Sequence, residues 1–423
     1  MTAKAVRVEG RIRDIVQSGE AVAETERGIV FVRGALKGEH VAISLDPKVS
    51  KPLRGRVISV LEPSSARVEP PCPHVLRCGG CPLMHASLDE QRALKLDFLG
   101  AALRKVGAPD TLEIKQTLAS QVLGYRRRAR LAFQVARGAR KLGYRRDRSH
   151  ELADVDSCVV LHPTLEAALP VLRERLLPKL AGEGEISLAL GQTGGAIAVV
   201  RTPDLQSPAL YTACDALIRE GALAGLALFA GGVSAPAQFG QISEWSEAFD
   251  GGLLEGAIAG FSQAHAEVNR ALVGRVRELA ALEGLKVLEL YAGHGNFTVA
   301  AAPGAAAYTA VEQDPAAVAA LRRNVAARNL TAKVVEGDAL KYTIQAGLDL
   351  VLIDPPRGGA AGLLGRLAER KAKRILYVSC DPQTLARDVA ELLPRGYKLS
   401  WVEAFEMFPQ TADLETVVQL TRS

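Results

Sequence analysis

Apolar and polar positions alternate through the first part of the chain, with apolar pairs at Val6/Val8, Ile12/Ile15, Ile29/Phe31, Val41/Ile43 and Val57/Val60. Side chains two apart share one face of a strand, so this pattern predicts short strands with one buried face each. Gly19, Gly28 and Gly38 punctuate them. Such strands, joined by glycine turns, predict a small closed barrel of the OB type over residues 1–62. Pro63-Ser64-Ser65 and Pro70-Pro71 then interrupt the pattern as a linker. A helix is predicted from Ser87 to about Val106, followed by strands and helices without a single period up to residue 255.

From Ala264 onward the period switches repeatedly between helix and strand. Strands are predicted at Lys286–Tyr291, Tyr308–Glu312, Lys333–Val335, Leu348–Ile353, Arg374–Ser379, Leu399–Ala404 and Thr416–Leu420. Helices between most of them predict a doubly wound, mostly parallel α/β sheet. A chain of 423 residues exceeds one ordinary core. The expected division is a barrel at 1–62, a central α+β domain at 63–255 and the doubly wound domain at 256–423.

Composition refines this picture in two places. The apolar share of 48% and charged share of 23% are those of a globular protein, and the Ala/Gly-rich run near residues 221–232 is too short to span a bilayer. Met1-Thr2-Ala3-Lys4 lacks the apolar core of a signal peptide, and six unevenly spaced cysteines do not make a disulfide scaffold, so the cytoplasm is expected. The net charge of +5 is mild, but its distribution is not. Between Tyr125 and Arg148 there are ten Arg/Lys and one acid, Asp147, with Tyr125, Phe133 and Tyr144 interleaved. Basic side chains alternating with aromatics suit phosphate contact and base stacking better than a merely solvated face. The expected partner is nucleic acid.

The candidate chemistry sits at predicted strand ends, where doubly wound sheets bind ligands. Gly293 and Gly295 in Leu290-Tyr291-Ala292-Gly293-His294-Gly295-Asn296 would let backbone approach a ligand. Glu312 ends the next strand and suits a ribose, and Asp338 follows the third strand where an adenine amine would be read. The turn lacks the third glycine of a dinucleotide fingerprint, which favours S-adenosylmethionine over NAD. Asp354-Pro355-Pro356-Arg357 is like the Asn/Asp-Pro-Pro-aromatic motif of amino methyltransferases, but Arg357 replaces the aromatic. Cys380 closes the following strand and Glu415 lies near the chain end, a nucleophile and a carboxylate base that point to a base carbon as the target. A cysteine after a strand is, in isolation, more often a small buried hydrophobe. Cys72, Cys78, Cys81 and Cys158 form a further set, with Gly79 and Gly80 between two of them. Zinc usually shows two Cys-x2-Cys pairs, whereas one pair with compact glycines suits a cubane. Cys214 is left for a core.

Ser379-Cys380-Asp381-Pro382, Phe408-Pro409-Gln410-Thr411-Ala412-Asp413-Leu414-Glu415, Phe261-Ser262-Gln263 and Tyr125-Arg126-Arg127-Arg128-Ala129-Arg130 together resemble motifs of the RNA 5-methyluridine methyltransferases. The likeness spans nearly the whole chain. It is greatest to the branch with an N-terminal TRAM barrel and a [4Fe-4S] cluster that modifies 23S ribosomal RNA. The resemblance implies a Rossmann-like methyltransferase domain with a mostly parallel seven-stranded sheet, acting as a monomer on RNA. It implies Cys380 as nucleophile and Glu415 as base, with Gln263, Tyr291, Gly293, Asn296, Glu312, Asp338 and Asp354 around S-adenosylmethionine. It places Cys72, Cys78, Cys81 and Cys158 on the cluster, and Arg126, Arg127, Arg128, Arg130 and Phe261 toward the RNA. Four positions depart from the family pattern: Asp381 for Asn, Asp413 for His, His265 for Asn and Tyr291 for the commoner Phe. Two of these add negative charge near the thiol, which is expected to disfavour its ionisation. The same reaction on the tRNA T-loop, and a ribosome-assembly factor without catalysis, are the competing readings.

Overall fold

The computed structural model describes residues 6–45, 52–109, 111–136, 138–146, 148–257 and 260–422. The chain forms two compact units, one made of residues 1–100, 144–155 and 408–413, the other of 101–143, 156–407 and 414–423.

In the first unit β1 (Arg7–Ile15), β2 (Ala21–Thr25), β3 (Gly28–Arg33), β4 (His40–Leu45) and β5 (Leu53–Glu62) close a barrel in the order β1-β2-β3-β5-β4, with β1 also paired to β4. The OB-type barrel is therefore present, but two of its strands differ from the sequence reading. The runs at Val8 and Ile12 belong to one strand, whose register shifts between Ile12 and Asp14. The strand Ala21–Thr25 was hidden because its inward residues are mostly alanines, fully buried at Ala21 and Ala23. Val8, Ile12, Val30, Val32, Val41 and Ile43 fill the barrel together with Leu36, Leu83 and Leu94. Glu39 is fully buried beneath it. Burial opposes its charge, but Arg67 at 2.6 Å on both oxygens and the amides of Leu36 and Ser64 outweigh this and hold the carboxyl below its usual range. That ion pair anchors the Pro63–Arg67 linker to the barrel.

Helix α1 (Leu88–Lys105) contributes a second anchor inside this unit. Gln91 and Lys95, one turn apart on α1, hold the segment 408–410. Gln91 donates to Gln410 Oε1 at 3.0 Å and accepts from the Gln410 amide at 3.0 Å, while Lys95 Nζ donates to the Phe408 carbonyl at 2.8 Å. Gln410 adopts φ 72°, a left-handed conformation that these bonds must hold against its cost. Strand β9 (Leu152–Asp154) also belongs to this unit.

The second unit carries two sheets. The central one contains β7 (Arg128–Ala136), β8 (Ala139–Arg145), β10 (Gly182–Leu190), β11 (Ala196–Thr202), β12 (Gly225–Ala230) and β13 (Ala237–Gly240), in the order β13-β12-β11-β10-β7-β8. It is backed by α2 (Pro163–Val171) and α3 (Pro208–Arg219), and a hairpin of β14 (Glu244–Glu247) and β15 (Leu253–Gly256) follows. The other sheet contains β6 (Lys115–Thr117), β16 (Lys286–Leu290), β17 (Ala307–Glu312), β18 (Lys333–Glu336), β19 (Leu350–Ile353), β20 (Arg374–Ser379), β21 (Tyr397–Phe405) and β22 (Glu415–Arg422). Its order is β18-β17-β16-β19-β20-β22-β21-β6. Strands β16 to β20 are parallel, and β22 is antiparallel to both β20 and β21. Helices α4 (Ala266–Ala280), α5 (Thr298–Ala301), α6 (Pro315–Ala326), α7 (Leu363–Glu369) and α8 (Pro382–Leu392) connect them. The inner strands are buried along their whole length, as at Leu350–Ile353, because helices cover both faces. The doubly wound reading holds, with one addition: β6, too short to show a period, joins the edge parallel to β21.

The barrel offers a test. Gly55 on β5 passes so close to β4 that an added Cβ would stand 2.6 Å from Ile43 Cγ2 and 2.7 Å from the Ser44 carbonyl. Gly55→Ala should destabilise the first unit by about 1–3 kcal/mol through overpacking. Its thermal unfolding midpoint should fall, and an unchanged midpoint would mean the barrel opens there without cost.

Candidate active site

All the predicted cofactor positions of the doubly wound sheet fall at its carboxyl edge. After β16 the chain turns at Tyr291, held at φ 63°, a conformation bulky residues rarely adopt. An added Cβ at Gly293 or Gly337 would meet nothing within 4 Å, so backbone here faces open space that a ligand can approach. Glu312 organises this turn. Its Oε2 accepts from the Gly293 amide at 2.9 Å and its Oε1 from the amides of Gln313 and Asp314 at 2.8 Å each. The Gly337 amide donates to the Glu312 carbonyl at 2.8 Å, bringing the end of β18 beside it. Asp338 accepts from the Leu340 amide at 2.9 Å. The Asp354 amide lies 3.5 Å from the Leu290 carbonyl, which sets the Asp-Pro-Pro turn beside the Tyr291 turn. Burial pushes the Asp354 carboxyl up from its ordinary value, although its side chain keeps partial access to solvent.

The other two predicted cofactor residues differ from each other. Gln263 has a buried Oε1 with no protein partner, an acceptor suited to an ammonium or hydroxyl donor. Asn296 instead forms a reciprocal amide pair with Asn269 of α4, 2.9 Å in each direction. That pair locks the turn to α4, so the side chain of Asn296 shapes the site through its partner. Sequence reasoning missed Asn269, and also Asn324, which donates to the His294 and Glu255 carbonyls at 2.8 Å each. Buried amides on helix faces were the available signal. The set of open glycine backbone, strand-end carboxylates and an orphaned acceptor fits S-adenosylmethionine, which carries hydroxyls, an amine and a positive sulfonium.

Cys380 and Glu415 are brought to the same edge by the sheet register. Ser379 pairs with Thr416 across β20 and β22, and Glu415 pairs with Phe405 across β22 and β21. Cys380 is thus the first residue after β20 and Glu415 the first residue of β22, one step beyond the Ser379–Thr416 pair on each strand. Glu415 is buried and Cys380 is half-buried. Asp381 has a structural task of its own. It is the N-cap of α8, and its Oδ1 accepts from the amides of Gln383 at 2.9 Å and Thr384 at 2.8 Å. Its charge is thus spent on a helix N-terminus, which favours anions. His265 likewise serves the fold. It stacks on Tyr125 with ring centroids 4.9 Å apart, and its Nε2 meets the Gln121 carbonyl at 2.8 Å.

The basic strand is more restrained than its sequence. Arg128 pairs with Glu244 at 3.3 Å and Arg127 with Glu247 at 3.5 Å, and Arg126 donates to the Arg128 carbonyl at 3.2 Å. Glu244 is buried and also accepts from the Ser262 hydroxyl at 2.6 Å, so the arginine string is tied to the Phe261-Ser262-Gln263 motif. Burial raises the Glu244 pKa despite the neighbouring Arg128. Arg130 keeps 71% of its side chain exposed beside Glu185, and Phe261 is 69% exposed.

The cysteine set behaves differently from the site. Cys72, Cys78, Cys81 and Cys158 are half-buried thiols outside any disulfide, and the Gly80 amide donates to the Cys78 sulfur at 3.4 Å. Among the described residues, no group of three or more His, Cys, Asp or Glu side chains is arranged to hold a metal ion. Cys214 is buried in α3, and burial pushes its thiol up to about 12, as expected for a core residue. A groove of about 730 Å³ lies along α4, lined by Arg270, Gly274 and Arg277 together with Thr117 and Glu403. Among the described residues no helix is long and apolar enough to cross a membrane.

Comparison with known proteins places these features. A family model described as tRNA (Uracil-5-)-methyltransferase matches residues 338–423, and one described as conserved hypothetical protein 95 matches residues 265–373. The 23S rRNA (uracil(1939)-C(5))-methyltransferase RlmD of Chromohalobacter salexigens is 35% identical, covering 97% of this chain and 88% of its own. The enzyme of the same name from Pectobacterium atrosepticum is 36% identical, covering 94% and 90%. The crystal structure of Pyrococcus abyssi tRNA (uracil-54, C5)-methyltransferase in complex with S-adenosyl-L-homocysteine shares the fold at a TM-score of 0.78 and 24% identity, covering 98% of this chain and 99% of that one.

Two buried groups beneath the site give opposite pH signatures. Glu289 on β16 accepts from Thr298 at 2.5 Å and Tyr308 at 2.9 Å, yet burial raises its pKa from 4.5 to about 7. The folded chain keeps a proton the unfolded chain has lost, so stability falls as pH rises through 4.5 to 7. Burial lowers His294 from 6.5 to about 4, so there the unfolded chain binds the extra proton and stability rises with pH between those values. Glu289→Gln should remove the first slope and leave the second. Urea unfolding at pH 5 and pH 7 should show a larger gain with pH in the variant, by up to about 3 kcal/mol. Equal gains in both proteins would remove this assignment.

Proposed function

The chain belongs to the family of RNA uracil-C5 methyltransferases, and on that premise we propose that it methylates carbon 5 of a uridine in 23S ribosomal RNA through a covalent adduct on Cys380. The observation that supports the catalytic reading is the β20–β22 register, in which β20 ends just before Cys380 and β22 begins at Glu415. The relatives named for uracil 1939 of 23S rRNA support the same uridine as the target. The tRNA alternative is supported by the family model matched at residues 338–423 and by a fold likeness at 24% identity, neither of which spans the chain at the identity of the 23S rRNA relatives.

Carbon 5 of uracil is a weak nucleophile. Addition of the Cys380 thiolate to carbon 6 makes carbon 5 enolate-like and able to accept a methyl group. S-adenosylmethionine supplies that methyl as an electrophile when bound. Gln263, Tyr291, Gly293, Glu312, Asp338 and Asp354 would hold it, with Asn296 setting the turn. Glu415 then removes the carbon-5 proton, and the Cys380 sulfur leaves carbon 6 to restore the ring. Burial of Glu415 supports this role, because it keeps the carboxylate away from bulk solvent. The uridine must leave its stack to reach both groups, at a cost of a few kcal/mol. The OB-type barrel, which we read as a TRAM domain, together with Phe261 and the Arg126–Arg130 string, supplies the RNA contacts that offset this cost. The half-buried pairing of Arg126, Arg127 and Arg128 suggests that they shape the surface from which Arg130 reaches phosphate. We place the protein in the cytoplasm as a monomer.

The [4Fe-4S] proposal rests on the spacing of Cys72, Cys78, Cys81 and Cys158 and on the amide–sulfur contact at Gly80, and it has no part in methyl transfer. Anaerobically purified protein should then carry about four iron per chain, read by colorimetric iron assay. Stoichiometric zinc, or no metal in folded active protein, would end the proposal.

The base assignment has a sharper test. Glu415→Gln should still permit attack and methylation but stall elimination, so a methylated RNA–protein adduct should survive denaturing electrophoresis. Cys380→Ala should give no adduct. Should Glu415→Gln bind RNA normally and yield no adduct, the elimination role is wrong.

A further inference from the structure

Asp388 lies on α8, is fully buried and takes no part in the chemistry above. We propose that Asp388 is a positioning residue for the nucleophile, its carboxylate clamping the Asp354 turn to the strand and helix that flank Cys380; this rests on the role given to Cys380 above. The carboxylate is satisfied from two sides. Its Oδ2 accepts from the Tyr377 hydroxyl and from the Ala360 amide, each at 2.6 Å. Its Oδ1 accepts from Arg387, at 2.7 Å from Nε and 2.6 Å from Nη2, and that Nη2 also donates to the Gly358 carbonyl at 2.9 Å.

The chain positions of these partners give the cluster its meaning. Tyr377 is on β20, just before Ser379 and Cys380, and is itself fully buried. Asp388 is on the helix that Asp381 caps immediately after Cys380. Gly358 and Ala360 belong to the loop that directly follows Asp354-Pro355-Pro356. One carboxylate therefore fixes the thiol's segment on both sides and joins it to the loop opposite. The loop is pressed onto the clamp: at Gly359, φ 74°, an added Cβ would stand 2.5 Å from both Arg387 Nη2 and Asp388 Oδ2.

Stability alone is a poor reason for this arrangement. Asp388 sits on the apolar face of α8 with Leu385, Val389 and Leu392, where a leucine would bury without penalty. A buried ion pair is often no more stabilising than apolar residues of similar volume, because desolvation offsets the attraction. What a leucine lacks is the ability to accept from an amide and a hydroxyl on one side and a guanidinium on the other. Asparagine lacks it too, since one of its two heavy atoms is a donor that would face Arg387 or the loop. The requirement is for a directional tie, and the parts it ties are the loop after the cofactor residue Asp354 and the segment that carries Cys380 to the uracil ring.

The test uses full-length protein, S-adenosylmethionine and a 23S rRNA transcript made with 5-fluorouridine. Fluorine cannot leave carbon 5 as a proton does, so the adduct accumulates in a single turnover and its formation rate reads the Cys380 step. Asp388→Asn should slow adduct formation about 10- to 100-fold, the scale expected for a displaced reacting group, while S-adenosylmethionine affinity by calorimetry changes by less than about threefold. Adding Arg387→Gln should recover most of the rate, because the glutamine oxygen can accept the new amide. Tyr377→Phe, a milder change, should show a smaller loss of rate with the same unaltered cofactor affinity. A merely structural Asp388 would lower the melting temperature and leave the adduct rate per folded molecule unchanged, which overturns the proposal. So would a loss of rate that the second substitution fails to repair. If wild-type protein itself forms no adduct, the nucleophile reading is what has failed, and the clamp falls with it.

Discussion

The site depends on one topological constraint, the insertion of β22 antiparallel between β20 and β21. In a parallel sheet every strand ends at the same edge, so residues at strand starts are kept about one strand length away from the ligand crevice. An antiparallel strand reverses this. The first residue of β22, Glu415, arrives at the edge where β16 to β20 end. The register then decides which face it uses, and a slip of one residue would turn the carboxylate to the other side of the sheet. That register is well determined, because Val417, Val418 and Leu420 are all fully buried. The core of the sheet thus positions an acid that no apolar contact could place.

The segment leading into β22 adds a second constraint. Residues 408–413 belong to the first unit, and Leu414 begins the part of the chain that belongs to the second. Within the first unit Gln91 and Lys95 hold this segment, including the left-handed Gln410. A lysine with its head on one carbonyl and almost no exposure is costly unless it is satisfied, so its presence marks a backbone path worth holding. Glu415 therefore stands at the start of a strand with fixed register.

Much of this was legible in sequence because it is periodic or carried by motifs. Alternation gave β3 and β4, and continuous apolar runs flanked by helices gave β16, β17, β19 and β20. What escaped had no pattern to display. Ala21–Thr25 buries alanines, which weigh little in any hydrophobic period, and Lys115–Thr117 is a strand only because β21 offers an unpaired edge. Charge was legible in amount but not in state. Arg126, Arg127 and Arg128 read as an open basic face, whereas Glu244 and Glu247, more than a hundred positions away, take up two of them. No local rule anticipates pairing over that distance. Asp388 did leave a trace, as a charge on the apolar stripe of an amphipathic helix, and such a violation is where function is to be sought.

The departures from the family pattern can now be weighed physically. Asp381 looked like a charge aimed at the thiol, yet its oxygen receives two amides at the start of α8. At an N-cap, aspartate and asparagine are nearly equivalent acceptors, which explains why either serves beside the nucleophile. His265 lies in the place of an asparagine but stacks on Tyr125 and meets the Gln121 carbonyl, so it supports the segment leading into the arginine strand. The remaining negative charge is not spread at random. Glu289, Glu312, Asp338 and Asp354 stand at or beneath the edge where the sulfonium and amine of the cofactor would lie, and Glu289 and Asp354 are raised by their burial. Carboxyl groups crowded in this way gain from a cation and lose from an anion. A cation at this edge would therefore draw the protons from these carboxyls and bring their pKa values down.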